Sequence, residues 1–128
     1  MAVVVLDASA ILAFIRNEKG ADQVLPHIGN GVVSAVNLQE VVKELALVGM
    51  TGDEIHEILD DLRLDVRGHD EAAAYASGML APRTTQYGRG LGDRSCMALG
   101  LSLGATVLTA DREWKKVKIN GLKLEHIR

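Results

Sequence analysis

The chain has 128 residues, of which 48% are hydrophobic, and a formal net charge of -3. This length fits one globular domain over residues 1–128 with a substantial core. The apolar runs are much shorter than the roughly 20 residues that a membrane span needs, and the negative charge argues against a protein that binds nucleic acid through net charge alone. Cys96 is the single cysteine, so an internal disulfide is excluded and we expect a cytoplasmic protein.

The chain opens with an apolar run, Val3–Leu6, that ends at Asp7. A short run of β-branched and leucine residues without a polar break predicts a strand buried on both faces. Apolar residues then recur at helical spacing, which predicts a helix over Ala8–Arg16. Asp7 therefore lies where a buried strand meets a helix, at the edge of an α/β sheet where ligands bind.

Short apolar runs and amphipathic stretches continue to alternate along the chain. Further strands are predicted at Val32–Val33, Leu64–Val66, Thr106–Thr109 and Leu122–Ile127. Further helical segments are predicted at Ala21–Ile28, Asn37–Val48, Asp53–Leu62, Asp70–Leu80, Asp93–Leu103 and Asp111–Lys116, with a glycine-rich loop at Pro82–Gly92. This alternation predicts an α/β three-layer sandwich, in which helices flank a short parallel sheet of four to five strands.

Four acidic residues are predicted at the starts of helices: Asp7, Glu40, Asp93 and Asp111. Helix capping explains each one singly, and Asn37–Glu40 resembles a capping box. If the predicted strands are parallel neighbours, they bring these acids together at one edge of the sheet. Capping alone does not account for this convergence. Two unit charges about 4 Å apart repel by roughly 4 kcal/mol at an effective dielectric of 20. A cluster of this kind therefore predicts a bound Mg²⁺ or Mn²⁺, which favours carboxylate ligands.

The motifs around these acids resemble those of PIN-domain nucleases, and more closely those of VapC-type toxins from toxin–antitoxin pairs. The resemblance extends from Val3 to about Ile127 and rests on four features in order: Leu6-Asp7-Ala8-Ser9, Glu40, the segment Leu91–Leu99 (LGDRSCMAL) and the segment Val107–Asp111 (VLTAD). It implies a PIN fold and an Mg²⁺- or Mn²⁺-dependent endoribonuclease.

The resemblance also assigns roles to individual residues. By position, the catalytic and metal-binding residues are Asp7, Glu40, Asp93 and Asp111. Ser9 and Thr109 match hydroxyl residues that support such a site, although capping and strand-end hydrogen bonds explain them equally well. Trp114 lies where an aromatic residue commonly packs behind the last acid, and we interpret it as a core residue.

The resemblance implies three partners: an RNA substrate, a cognate antitoxin that blocks the acidic cleft, and a second copy of the chain in a homodimer. Exposed apolar residues on the helices Asn37–Val48 and Asp53–Leu62 are candidates for either protein contact. Arg94 is a candidate phosphate ligand. The residues Arg83, Tyr87 and Arg89 are further candidates for RNA contact. For all four, a solvated surface position is the alternative interpretation.

Other functions fit the sequence less well. A PIN ribonuclease of RNA processing without a toxin role and a catalytically silent PIN-like binding module both remain alternatives. A phosphoacceptor receiver domain is disfavoured because Asp7 has no acidic neighbour and no aspartate follows Val66. An aspartyl phosphatase is disfavoured because its motif needs an aspartate at position 9, which is Ser9.

Overall fold

The computed structural model of the chain describes residues 3–85 and 90–128. The strands are β1 (Val4–Leu6), β2 (Val32–Ser34), β3 (Asp65–Arg67), β4 (Thr106–Thr109) and β5 (Lys123–His126). The helices are α1 (Ala8–Ile15), α2 (Ala21–Val24), α3 (Ala35–Leu47), α4 (Gly52–Leu62), α5 (Glu71–Gly78), α6 (Ala81–Thr84) and α7 (Leu91–Leu103), with 3-10 turns at Leu25–His27 and Arg112–Lys116.

The five strands form one parallel sheet in the order β3-β2-β1-β4-β5, which confirms the predicted α/β architecture. The first strand lies at the centre of this sheet, and all three of its residues are buried. Leu6 pairs with Leu108 of β4, so the residues that follow these two strands lie at the same sheet edge.

Helices cover both faces of the sheet because successive strand residues point in opposite directions. Val4 and Leu6 pack in one core with residues of α1, α3 and α4. Val5 packs in a second core with residues of α7 and with Trp114, which is fully buried as predicted. The predicted three-layer arrangement is therefore confirmed.

The start of α3 differs from the prediction. The helix begins at Ala35, and the hydroxyl of Ser34 accepts a hydrogen bond from the Val36 amide at 3.2 Å. Asn37 is therefore the third helical residue and Glu40 lies in the second turn, so the predicted capping box of Asn37 and Glu40 is wrong. The last residue of the strand supplies the cap directly, which leaves no loop between β2 and the helix.

Two further boundaries differ around the predicted loop Pro82–Gly92. Its first part forms α6, because proline is compatible with the first turn of a helix. Helix α7 begins at Leu91, so Asp93 is its third residue and not its first. Tyr87 and Arg89, predicted as candidates for RNA contact, lie outside the described residues.

None of the helices in residues 3–85 and 90–128 combines the length and apolar character that crossing a bilayer requires.

Candidate active site

Asp7 follows β1 directly and is only 5% exposed. It occupies the position before the first residue of α1, but its side chain makes no capping hydrogen bond. Its Oδ2 instead accepts hydrogen bonds from the hydroxyls of Ser9 at 2.6 Å and Thr109 at 2.9 Å. The capping interpretation is therefore wrong for Asp7, whose carboxylate is held by groups from two different segments.

The same two hydroxyls are fixed by backbone amides on their acceptor side. Ser9 Oγ accepts from the Ala110 amide at 2.9 Å, and Thr109 Oγ1 accepts from the Asp111 amide at 3.0 Å. Each hydroxyl has one proton, and both protons are directed to Asp7. Ser9 and Thr109 thus orient the Asp7 carboxylate. The same hydroxyls also bind the two backbone amides that follow β4.

The pKa of Asp7 is raised from 3.8 to about 6, and burial of the carboxylate is the largest cause. The hydrogen bonds from Ser9 and Thr109 oppose this rise, whereas the charges of Asp93 and Glu40 add to it. The same three acids also act on the buried Cys96. Burial raises the pKa of its thiol, and the charges of Asp7, Asp93 and Glu40 raise it further. Three acids, one directly after β1, one on α3 and one on α7, therefore lie within electrostatic reach of one another.

Asp93 lies in the first turn of α7 and is half-buried. Its Oδ2 accepts a long hydrogen bond of 3.4 Å from the Gly90 amide. Burial raises the pKa of Asp93 most, the charges of Asp111 and Glu40 raise it further, and the positive charge of Arg94 lowers it. Arg94 is thus close enough to act on this acid, and its predicted contact with a phosphate stays a prediction.

Asn37 fixes Glu40. The fully buried Asn37 amide nitrogen donates to Glu40 Oε1 at 2.8 Å and to the Gly92 carbonyl at 2.9 Å. Both partners are acceptors, so only the amide nitrogen can face them. Asn37 Oδ1 then has no hydrogen-bond partner within the described part of the chain. One amide group therefore orients an acid on α3 and ties α3 to the start of α7.

Gly92 allows this close approach. A Cβ atom at this position would lie 2.2 Å from Glu40 Oε1 and 2.5 Å from its Cδ. Any larger residue would displace the Glu40 carboxylate, so the glycine in the LGDRS segment is a steric requirement of the site. Neither Asn37 nor Gly92 was identified as a site residue from the sequence. The signal available in the sequence was an asparagine one helical turn before an acid.

Asp111 is the fourth of the predicted acids. It lies two residues beyond β4, and its Oδ1 accepts from the Glu113 amide at 3.0 Å, so here the capping interpretation holds. Its charge affects the pKa of Asp93. Asp111 therefore lies within electrostatic reach of Asp93, the acid that also interacts with Asp7 and Glu40.

The donor set matches a hard divalent cation, because carboxylate oxygens are the ligands that Mg²⁺ and Mn²⁺ prefer. A cation would also offset the mutual repulsion that raises the pKa values of Asp7 and Asp93. Within residues 3–85 and 90–128, however, no three His, Cys, Asp or Glu side chains are already arranged as a metal-binding group.

Comparisons with known proteins identify the family and the fold of the chain. The PIN domain model matches residues 4–120. No match is found among curated proteins. Solved structures with a similar fold include DNA-bound VapBC from Salmonella typhimurium (20% identity, all of both chains covered, TM-score 0.73) and VapBC-1 from nontypeable Haemophilus influenzae (22%, 98% of both chains, 0.71). A toxin–antitoxin complex from Klebsiella pneumoniae is similar too (14%, 98% of both chains, 0.74).

The family match spans every strand of the sheet except the last, and it includes all four acids. The predicted family is thereby confirmed: this chain belongs to the PIN domain family.

Proposed function

We propose that the chain is a metal-dependent endoribonuclease that hydrolyses RNA phosphodiester bonds and acts as the toxin of a toxin–antitoxin pair. The observation that carries this proposal is the grouping of Asp7, Glu40 and Asp93, which come from three separate parts of the chain. The charges of Glu40 and Asp93 raise the pKa of Asp7, Glu40 raises that of Asp93, and all three acids raise the pKa of the Cys96 thiol. Membership of the PIN family and the VapBC structures of the same fold support it.

In this proposal the acids Asp7, Glu40, Asp93 and Asp111 hold one or two Mg²⁺ or Mn²⁺ ions. A bound cation supplies activation of water and stabilisation of the charge that develops on the phosphodiester. Ser9 and Thr109 hold the Asp7 carboxylate in place, and Asn37 does the same for Glu40. Glu40 or Asp93 orients the attacking water, and Arg94 contacts a substrate phosphate.

Cleavage of purified RNA in the presence of Mn²⁺ or Mg²⁺ tests the catalytic part. We expect cleavage by the wild-type chain, none after EDTA treatment, and none by Asp93→Asn at equal concentration. Cleavage by Asp93→Asn at the wild-type rate would refute the assignment. A toxin should also arrest growth when its expression is induced, whereas Asp93→Asn should not; RNA cleavage without growth arrest would instead support a PIN ribonuclease of RNA processing.

An apolar groove between α3, α4 and β3 offers a site for the antitoxin. Its volume is about 400 Å³, and its lining includes Leu38, Val42, Ile55, Leu59 and Leu64. We propose that an apolar helix of the antitoxin binds there, because a helix-in-groove contact uses such a surface. The second protein contact, a homodimer of the chain, is proposed on the resemblance alone and is measured by light scattering.

The groove proposal is tested with Leu59→Lys and the matched control Glu57→Lys, an exposed position on the same helix. We expect Leu59→Lys to weaken binding of the cognate antitoxin by about tenfold or more, because it places a charge in an apolar contact. Both variants should cleave RNA at the wild-type rate. Equal antitoxin affinity of Leu59→Lys and the wild type would refute this location.

A further inference from the structure

A second cavity, of about 370 Å³, lies between α5 and α7. We call it the α5–α7 cavity. Helix α5 contributes Ala73 and Ser77, helix α7 contributes Ser95, and Ser34 and Arg67 come from the ends of β2 and β3. It exists because the two helices face each other with alanine and serine side chains, which are too small to fill the space between them. Its volume falls in the range of small-molecule sites.

One hydroxyl in this lining is unsatisfied. Ser77 is 7% exposed, and its Oγ has no hydrogen-bond partner among residues 3–85 and 90–128. A buried hydroxyl without a partner lowers stability, so native proteins seldom keep one unless water or a ligand satisfies it. Ser95, 3% exposed, is a second hydroxyl of the lining. The cavity thus presents polar groups within small apolar walls, the usual composition of a ligand site.

The opening of the cavity carries Arg67 and His69. Asp65 holds the Arg67 guanidinium in place through two hydrogen bonds, Nε to Oδ1 at 3.0 Å and Nη2 to Oδ2 at 2.9 Å. Asp70 also lines the opening and accepts a hydrogen bond from the Ala73 amide at 2.9 Å. The charge of Arg67 is thus offset by Asp65, which favours a neutral ligand over an anion, and an arginine plane held in one orientation is a surface on which a base stacks.

The cavity adjoins the acidic cluster through shared elements. Ser34 lines the cavity and caps α3, the helix that carries Asn37 and Glu40. On α7, Ser95 lies two residues after Asp93, so the two side chains point to different sides of the helix. Because Val5 of β1 pairs with Val32 of β2, Ser34 lies level with Asp7 on the adjacent strand, so the cavity and the acids share one edge of the sheet.

We propose that the α5–α7 cavity binds one unstacked base of the RNA strand, adjacent to the phosphodiester at the acidic cluster, and so sets a sequence preference for cleavage. This inference rests on the proposed nuclease function. Small apolar walls contact the faces of the base, the hydroxyls of Ser77 and Ser95 bond to its edge, and Arg67 covers it at the opening. Recognition of unstacked bases by hydrogen bonds and stacking is the common mode of sequence-specific RNA binding.

The test uses Ala73→Leu, which fills the cavity, and the control Ala74→Leu, an exposed position on the same helix outside the cavity. The probes are the four ribonucleosides, titrated while the amide signals of Ser77 and Ser95 are followed by NMR, and a random-sequence RNA pool for cleavage. We expect Ala73→Leu to weaken nucleoside binding at least tenfold and to abolish the base preference at one position beside the cut. Ala74→Leu should change neither.

Ser77→Ala supplies a second variant in case Ala73→Leu does not fold. We expect it to weaken nucleoside binding about fivefold and to raise the thermal midpoint of the free protein, because the unsatisfied hydroxyl is removed. A purely structural serine would not affect nucleoside binding. Nucleoside binding and base preference that are unchanged in both folded variants would overturn the inference.

The outcomes separate this inference from the proposed function. RNA cleavage by the wild type with no effect of cavity filling on base preference would overturn the inference and leave the nuclease standing. Nucleoside binding that Ala73→Leu removes, in a protein that cleaves no RNA, would support the cavity as a base site and refute the nuclease. A dimer that Ala73→Leu converts to a monomer with base preference intact would make the cavity a contact between copies, and would also overturn the inference.

Discussion

The side chains of Asp7 and Thr109 are 102 residues apart in the sequence and are joined by a hydrogen bond of 2.9 Å. The bond follows from the sheet, because Leu6 of β1 pairs with Leu108 of β4 and the next residue of each chain segment lies at the same edge. The Asp7 amide also donates to the Leu108 carbonyl at 3.0 Å. Asp7 is therefore oriented by a neighbouring strand end together with Ser9 from the first turn of α1, although it does not cap that helix.

Burial of Asp7 predicts a specific dependence of stability on pH. The pKa of Asp7 is raised to about 6 in the folded chain, against an ordinary value of 3.8, so the folded state holds this proton more tightly than the unfolded state. The contribution of Asp7 to the free energy of unfolding is therefore largest below pH 3.8 and falls as the pH rises to about 6. A shift of two pKa units corresponds to about 3 kcal/mol.

Asp7→Asn should remove this dependence. We expect the metal-free variant to be more stable than the wild type by up to about 3 kcal/mol at pH 7, with the difference shrinking toward pH 4. Denaturant unfolding of both proteins in EDTA across this pH range provides the measurement. A variant less stable than the metal-free wild type at pH 7 would contradict the account of a costly buried charge.

Asp7→Asn should also reduce the rate of RNA cleavage by about 100-fold or more.

A divalent cation should stabilise the wild-type chain. Because a ligand that binds only the folded state shifts unfolding by mass action, saturation at about 100 times the dissociation constant adds about 2.7 kcal/mol. We expect the thermal midpoint to rise with Mn²⁺ or Mg²⁺ in the wild type and to rise much less in Asp93→Asn. Zn²⁺-free buffers and a matched ionic strength with NaCl serve as controls. A wild-type midpoint that stays constant up to millimolar metal would argue against a metal site.

Gly92→Ala should separate activity from stability. The added methyl group would overlap the Glu40 carboxylate, which is the free end of a flexible side chain and can move away. We therefore expect a loss of cleavage of about 10- to 100-fold, because small displacements of a catalytic group are costly. Stability should fall by only about 1–3 kcal/mol through the weakened hydrogen bond to Asn37. Gly78→Ala, where a Cβ meets no atom within 4 Å, is the control.

If Gly92→Ala cleaved RNA at the wild-type rate, the position of Glu40 would not matter for catalysis. Loss of activity in Gly78→Ala to the same extent would point to a general effect of the substitution on the fold. Circular dichroism of both variants at the assay temperature distinguishes a displaced acid from an unfolded protein.

Asn37→Ala should impair both the fold and the site, because the amide makes a buried hydrogen bond to Gly92 and a partly buried one to Glu40. We expect a destabilisation of about 2–4 kcal/mol, as the Gly92 carbonyl loses its buried donor. Gln39→Ala, at an exposed position on the same helix, should change stability by less than about 0.5 kcal/mol. Urea unfolding gives these values, and equal stability of Asn37→Ala and the wild type would refute the role assigned to the amide.

Much of the architecture follows from local patterns in the sequence. The run Val3–Leu6 has no polar residue, and this alone predicts a strand buried on both faces, as β1 is. The alternation of such runs with amphipathic segments predicts a parallel sheet between helical layers, and the motifs around Asp7 and Asp93 identify the family. The predicted helix boundaries were less accurate. Helix α3 was predicted to start at Asn37 but begins at Ala35, because Ser34 at the end of β2 caps it.

The arrangement of the acids depends on contacts between distant segments, which no local pattern encodes. Asp7 and Asp111 both match the sequence signature of a helix cap, yet only Asp111 caps its helical turn, while Asp7 accepts its bonds from Ser9 and Thr109. The link from Asn37 to Gly92 spans 55 residues and arises only when α3 packs against α7. The sequence by itself therefore determined the fold class and the candidate acids, because periodicity and residue chemistry are local properties. Which of those acids share one charge environment, and which residues hold them there, was decided by the tertiary packing of the strands and helices.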